Sequence, residues 1–227
     1  MTGRVQLLTT CLADLAFPEV AADSERLLRD AGFDVLVPDG QVCCGQPAFN
    51  AGHRKAARRV ARTVVRAFDR DLPIVVPSGS CVAMLVHRLP ELLGVDPYDV
   101  HELSAFLDAN DAALARTNEG RAVAYHDACH LLRELGVSDA PRRLLERSGA
   151  RLVPLPRPDL CCGFGGTFSV RQPEVSVAMA DEKLAGAASA DVLVTPDPGC
   201  LMQLRGRSER TGGPAVVHLA TALARGV

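Results

Sequence analysis

Cys43-Cys44-Gly45-Gln46-Pro47-Ala48 and Cys161-Cys162-Gly163-Phe164-Gly165-Gly166 are two versions of one Cys-Cys-Gly stretch, and the spacing around them decides the fold. Between Cys11 and the first pair lie 31 residues, and between Cys129 and the second pair lie 31. Downstream, Cys81 follows after 36 residues and Cys200 after 37, which accounts for all 8 cysteines. Val100-His101-Glu102-Leu103 near the end of the first copy is echoed by Val217-His218-Leu219 at the end of the second, so the repeat extends beyond the sulfurs. One unit has been used twice. With a polar stretch around Arg116 to Gly120 suited to a linker, the expected division is residues 1–118 and 119–227.

Around these cysteines, short β-branched runs alternate with helical patterns, which predicts an α/β fold of two tandem units with parallel sheets. In the first unit the order is Val5 to Leu8, a helix from Pro18 to Ala31, Asp34 to Val37, a helix after His53, Ile74 to Val76, and a helix from Cys81 to Leu93. The second unit repeats it with Val123 to Tyr125, a helix from Leu131 to Arg147, Arg151 to Leu155, a helix from Pro173 to Ala187, and Val192 to Thr195. Every cysteine position then follows a strand. In an open parallel sheet the carboxyl ends of the strands share one edge, where ligand crevices form. Thiols far apart in sequence are expected to meet there, four to each unit.

Composition narrows what those thiols are for. Hydrophobic residues make up 48% of the 227 residues and mean hydropathy is +0.10, enough apolar material for a core without disulfide or metal staples. The longest apolar runs, such as Pro73 to Pro77 and Val192 to Pro196, fall far short of the roughly 20 residues of a membrane helix, so no transmembrane segment is expected. The chain opens on a strand-like segment without a basic, then apolar leader, and a cytoplasmic location is expected, where thiols stay reduced. A net charge of -2 gives no case for nucleic acid. Arg54, Arg58, Arg62 and Arg66 recur at helical spacing opposite Ala57, Val60, Ala61, Val64, Val65 and Phe68; this reads as a solvated basic face, with docking on an acidic partner as the alternative.

Adjacent cysteines point their side chains in different directions, which suits a polynuclear cluster better than one tetrahedral ion. Structural zinc usually uses C-x2-4-C knuckles, and this chain has none. Glycines beside the cysteines, Gly45, Gly79, Gly163, Gly165, Gly166 and Gly199, would let backbone N–H groups approach cluster sulfides. Helices beginning after these loops would favour thiolates with their positive ends. Iron–sulfur ligation leads on these grounds, with zinc and dithiol redox chemistry as alternatives.

The pattern resembles the cysteine-rich CCG domain, found twice in a subunit of heterodisulfide reductase and in the iron–sulfur subunits of glycolate oxidase and anaerobic glycerol-3-phosphate dehydrogenase. Pro77-Ser78-Gly79-Ser80-Cys81, Cys161-Cys162-Gly163-Phe164-Gly165-Gly166-Thr167-Phe168-Ser169 and Gly199-Cys200-Leu201-Met202 are similar to the lactate utilization A branch, across essentially the whole chain. The resemblance implies one or two iron–sulfur clusters per chain, of [4Fe-4S] type. Cys11, Cys43, Cys44 and Cys81 would be one ligand set, and Cys129, Cys161, Cys162 and Cys200 the other. It further implies an electron-transfer subunit that acts with two partner proteins on a small-molecule redox substrate, oxidising L-lactate to pyruvate or a similar 2-hydroxy acid. A heterodisulfide-reductase-like thiol/disulfide enzyme and a zinc-stabilised or redox-sensing interaction protein are the rival readings. In one respect the chain departs from the family's fullest motif. That motif ends in C-x-x-C and supplies a fifth cysteine to a non-cubane cluster, whereas Ser78 and Asp197 stand at those positions here. A turn hydrogen bond is the better reading of Ser78, and Asp197 is either an oxygen ligand or part of a turn.

His126 and His130 flank Cys129 and are within reach of the second thiol set, as proton relay, iron ligand or packing residue. His53 is given no role, and His101 and His218, which match each other far from the cysteines, are expected to be structural. Gly163-Phe164-Gly165-Gly166 lacks the full dinucleotide fingerprint, and no P-loop or Ser-His-Asp signature is present. Removing a hydride from a 2-hydroxy acid normally needs flavin or nicotinamide, which favours an electron carrier over the substrate-oxidising enzyme itself. The unlike residues at positions 78 and 197 predict two chemically different sites.

Overall fold

The computed structural model describes residues 3–227. Its first half runs β1 (Arg4–Leu7), α1 (Cys11–Ala16), α2 (Pro18–Asp30), β2 (Asp34–Leu36), α3 (Gln46–Asn50), α4 (Arg54–Ala67), β3 (Ile74–Val76), α5 (Gly79–Ala83), α6 (Leu89–Leu93), β4 (Val100–Glu102) and α7 (Leu103–Ala109). The second half runs β5 (Ala122–Tyr125), α8 (Cys129–Arg133), α9 (Asp139–Arg147), β6 (Arg151–Val153), α10 (Thr167–Arg171), α11 (Pro173–Gly186), β7 (Val192–Thr195), α12 (Pro198–Thr211), β8 (Ala215–His218) and α13 (Leu219–Arg225). The strands form two parallel four-stranded sheets of identical topology, β2-β1-β3-β4 and β6-β5-β7-β8. Tandem α/β units with the cysteines beyond the carboxyl ends of the strands are thus what the chain builds.

Alternation along the strands sends side chains to two different cores. Val5, Leu7, Val35 and Val75 of the first sheet and Val123, Tyr125, Val192 and Val194 of the second face one shared core with α2, α7, α9 and α13. On the outer faces, Ile74 and Val76 pack on Ala57, Ala61 and Val64 of α4, while Ala124 and Leu193 pack on Ala180 and Leu184 of α11 and Leu201 and Leu204 of α12. Contacts between halves are reciprocal: α2 lies on α13 as α9 lies on α7, and α5 meets α8 as α12 meets α1. Such exchange of equivalent surfaces is the mark of a two-fold relation, here internal to one chain. The arginine ridge on α4 is exposed to solvent opposite its buried Ala57, Ala61 and Val64.

Three sequence expectations are corrected. The helix expected over Leu131 to Arg147 is two helices, because Gly136 takes φ +67 between α8 and α9. The helix expected from Cys81 starts at Gly79, capped by Ser78, and its middle, Met84–Arg88, is a π turn. Finally, the strand pairings Val76 with Glu102 and Thr195 with His218 make Glu102, not His101, the counterpart of His218. The His-Leu echo in the sequence was one residue out of register. No helix among the described residues is long and apolar enough to cross a membrane.

Candidate metal centre

Both sheets have their strand order reverse between the first and third strands, the position at which crevices open in such folds. Cys11 and Cys81 follow those two strands in the first half, and Cys129 and Cys200 follow them in the second. All four sit in the first turn of a helix, α1, α5, α8 and α12 respectively, where unpaired N–H groups favour thiolates. The Cys-Cys-Gly pairs come from the loops after β2 and β6, with residues 37–42 and 154–160 spanning the approach. One sulfur of each pair turns inward: Cys44 and Cys162 are buried, as are Cys81 and Cys200, while Cys11, Cys43, Cys129 and Cys161 are half-buried.

The two sets do not occupy separate crevices. A single cavity of about 170 Å³ between the halves is lined by Cys11, Cys43, Cys44 and Cys81 and equally by Cys129, Cys161, Cys162 and Cys200. All eight are free thiols. A lone tetrahedral ion draws its thiolates in to about 2.3 Å and needs no such volume, so the lining suits a polynuclear group.

Glycine in the Cys-Cys-Gly motif has a backbone reason. Gly45 and Gly163 take φ of +91 and +87. That turn points the Gly45 N–H at Cys43 Sγ and the Gly163 N–H at Cys161 Sγ, each at 3.4 Å. Hydrogen bonds from Cys11 and Cys44 and then the Gly45 N–H hold the Cys43 thiol well below its ordinary range, against the opposing effect of burial. Cys161 is lowered in the same way by Cys129, Cys162 and Gly163. Their partners Cys11, Cys44, Cys129 and Cys162 are pushed up, first by that sharing of a proton and then by burial. In each set the close thiols thus share a proton unequally, with the first cysteine of the pair lowered and its neighbours raised, an arrangement that a cation would relieve.

Ser78 and Asp197, at the two departures from the fullest family motif, meet each other across the two-fold. Ser78 Oγ donates to Asp197 Oδ2 at 3.0 Å, the Ser80 N–H donates to the same oxygen at 3.0 Å, and the Gly199 N–H donates to Oδ1 at 3.0 Å. Each also caps the helix bearing its unit's last cysteine, Ser78 on α5 and Asp197 on α12. Asp197 is thus a clamp between halves, with both oxygens engaged. Beside it stand two buried residues that sequence reasoning missed or took for structural filler. Burial, chiefly, pushes the Glu102 carboxyl up to about 7, while the same effect pushes His218 down to about 4. Backbone groups of Pro196 and Pro77 lie close to the His218 ring, whose Nε2 has no hydrogen-bond partner. Glu102 caps α7 as His218 caps α13, which their shared register explains.

The remaining histidines separate cleanly. His126 is fully buried, burial and then Lys183 push it down to about 4, and neither ring nitrogen has a hydrogen-bond partner. A ring nitrogen of His126 and the sulfurs of Cys162 and Cys200 all lie within 4.8 Å of one another. His130 is partly exposed, with Nδ1 3.5 Å from Cys129 Sγ and Nε2 3.1 Å from the Gln46 side chain. His101 pairs with Asp99 at 2.7 Å on the surface, and His53 is an exposed residue before α4.

Comparison with known proteins agrees with this arrangement. The cysteine-rich CCG domain family matches twice, over residues 5–86 and 123–205. Lactate utilization protein A of Geobacillus kaustophilus is 42% identical over 97% of this chain and 98% of its own length. Its namesake in Halalkalibacterium halodurans is 40% identical over 97% and 96%, and lactate utilization protein A 2 of Bacillus cereus is 37% identical over 99% of both. Among solved structures, an allantoin racemase from Pseudomonas fluorescens is similar at 14% identity and a TM-score of 0.30, too distant to carry an argument. With two matched copies of the cysteine-rich domain and near end-to-end similarity to these relatives, the chain belongs to the CCG family, in the branch of the lactate utilization A proteins.

Proposed function

We propose that the chain is an iron–sulfur subunit that carries electrons in the oxidation of L-lactate to pyruvate, or of a similar 2-hydroxy acid, with two partner proteins in the cytoplasm. The observation that carries this reading is the convergence of eight free thiols from both halves on one cavity. The name borne by the relatives supports the choice of substrate. Cys11, Cys43, Cys44 and Cys81 hold one [4Fe-4S] cluster, and Cys129, Cys161, Cys162 and Cys200 the other. When bound, such a cluster supplies one-electron uptake and release at a potential set by its surroundings.

The chain's own residues fit that task. Cys43 and Cys161 are held low first by hydrogen bonds from Cys11 and Cys44 and from Cys129 and Cys162, with the Gly45 and Gly163 N–H groups adding to it, which favours the deprotonated form that ligation requires. Cys44, Cys81, Cys162 and Cys200 are buried away from water, and Cys11, Cys43, Cys129 and Cys161 are half-buried. Asp197 and Ser78 hold the two halves at a fixed separation. Oxidising a 2-hydroxy acid to a 2-oxo acid releases two electrons and two protons, and the chain's part is to accept the electrons one at a time.

Anaerobic reconstitution followed by iron and sulfide analysis and EPR of the reduced protein tests the cluster. Equal amounts of iron and sulfide are expected, with about half of each lost on replacing Cys44 or Cys162 by Ala. A protein that takes up zinc but no iron would overturn it. The substrate is tested separately, by lactate-dependent reduction of the loaded chain on adding the partner proteins; reduction by another 2-hydroxy acid alone would move the assignment to that acid.

A further inference from the structure

The two halves differ at the residue that follows the strand-end position before the first cysteine. In Leu8-Thr9-Thr10-Cys11 the first residue is apolar and packs in the outer core of the first half. In His126-Asp127-Ala128-Cys129 the same position holds an imidazole. Both are buried, Leu8 at 1% and His126 at 0% exposure. A leucine there needs no partner, whereas a buried imidazole with two orphaned nitrogens is costly unless something binds it. The adjacent polar groups do not serve: Lys183 Nζ is spent on the Arg157 and Pro158 carbonyls, and Asp127 on Arg142. What the ring does face is the buried pair Cys162 and Cys200, whose sulfurs are 3.1 Å apart.

We propose that His126 is a nitrogen ligand to the metal group of the second half, completing a donor set with Cys162 and Cys200. The first half, with Leu8 in its place, has thiols alone. Thiolate and imidazole together suit iron and zinc alike, and here the imidazole would be added to four thiols rather than put in place of one. The two halves are therefore unequal, the second carrying a nitrogen donor where the first has Leu8. This rests on the reading of the cysteines as metal ligands.

The test uses the full chain, loaded anaerobically with iron and sulfide, with 15N-labelled histidine. Pulsed EPR of the reduced protein is expected to show a strongly coupled histidine nitrogen. It is lost in His126→Leu, which copies the first half, and kept in His130→Leu, which removes the competing imidazole beside Cys129. A weak coupling, as from an N–H donating to a cluster sulfur, overturns ligation, as does a strong coupling that survives in His126→Leu. If the chain takes up no iron, the cluster reading fails while His126 is still tested with cobalt(II). Its thiolate charge-transfer and ligand-field bands are then expected to shift in His126→Leu, and bands identical in the two proteins would sink the proposal.

Discussion

Asp197 shows how one side chain can serve folding where its position suggests chemistry. Its two oxygens accept three hydrogen bonds from two halves of the chain at 5% exposure, which commits both to N–H and O–H donors. Asp197→Ala would leave the Ser80 and Gly199 N–H groups without that acceptor and the Ser78 hydroxyl with only Ser80 Oγ to donate to, at a cost of about 1–3 kcal/mol. Urea unfolding should show that loss while iron per chain stays at the wild-type value; a normal stability with a lowered iron count would make Asp197 a ligand after all. Neighbouring His218 gives a pH dependence. Its folded value is about 4 against an ordinary 6.5, so between those values the unfolded chain binds the extra proton. Stability from this group is present above 6.5 and is lost as the pH falls towards 4. Glu102, raised to about 7 from an ordinary 4.5, works the other way, its contribution being lost as the pH rises through that window. Replacing His218 by Asn puts an amide oxygen in place of Nδ1 to accept from the Ala220 N–H and removes one titration. The metal-free variant should lose up to ~1.4 kcal/mol less per pH unit than the parent between 6.5 and 4. An unchanged slope would mean that His218 is charged inside the fold.

At the level of the element, the Cys-Cys-Gly loops are alike in backbone and unlike in surroundings. A Cβ on Gly163 would lie 2.4 Å from the Ser176 carbonyl oxygen, at a left-handed φ, against backbone of α11 that cannot easily yield. On Gly45 the nearest atom would be Val60 Cγ1 at an ordinary 3.5 Å, so only the φ penalty of about 1–2 kcal/mol applies. Gly163→Ala is therefore expected to abolish metal uptake at the second half, and Gly45→Ala to lower melting by a few degrees with uptake kept. Equal effects would show that the φ value, and not the approach of α11, governs the motif. The strands and the order of the loops were legible because β-branched runs such as Ile74-Val75-Val76 stand between turn residues, and because duplication showed the pattern twice. Three features were not. The Gly136 break was hidden by helical spacing on both sides of it. The shared cavity depends on which amphipathic faces pair, and α2, α7, α9 and α13 carry no mark in sequence that assigns α2 to α13 or α7 to α9. Glu102 escaped notice because a buried carboxylate at a helix cap looks, in sequence, like any surface acid.

For the whole molecule, the central layer decides how the chain behaves as a unit. Helices from both halves fill one core between the sheets, and Val75 and Val194 both look into it. Neither half can bury that face alone, so the free energy of docking is part of the stability of each sheet. Were the halves independent domains on a linker, a core lesion in one would leave the other unmoved. Leu223, 1% exposed on α13, touches this layer and belongs by sequence to the second half. Leu223→Ala should cost about 2–5 kcal/mol, the usual range for a buried leucine. Because α13 packs on α2, that loss should appear in both halves: amide exchange of Val5 and Val75 should accelerate together with that of Val123 and Val194, in a single unfolding transition. Two resolved transitions, with the first sheet's protection intact, would refute the common core. The consequence reaches the thiols, since the cavity exists only where the halves meet. A substitution far from any sulfur, if it loosens α2 against α13, is then expected to speed the release of metal from both cysteine sets at once.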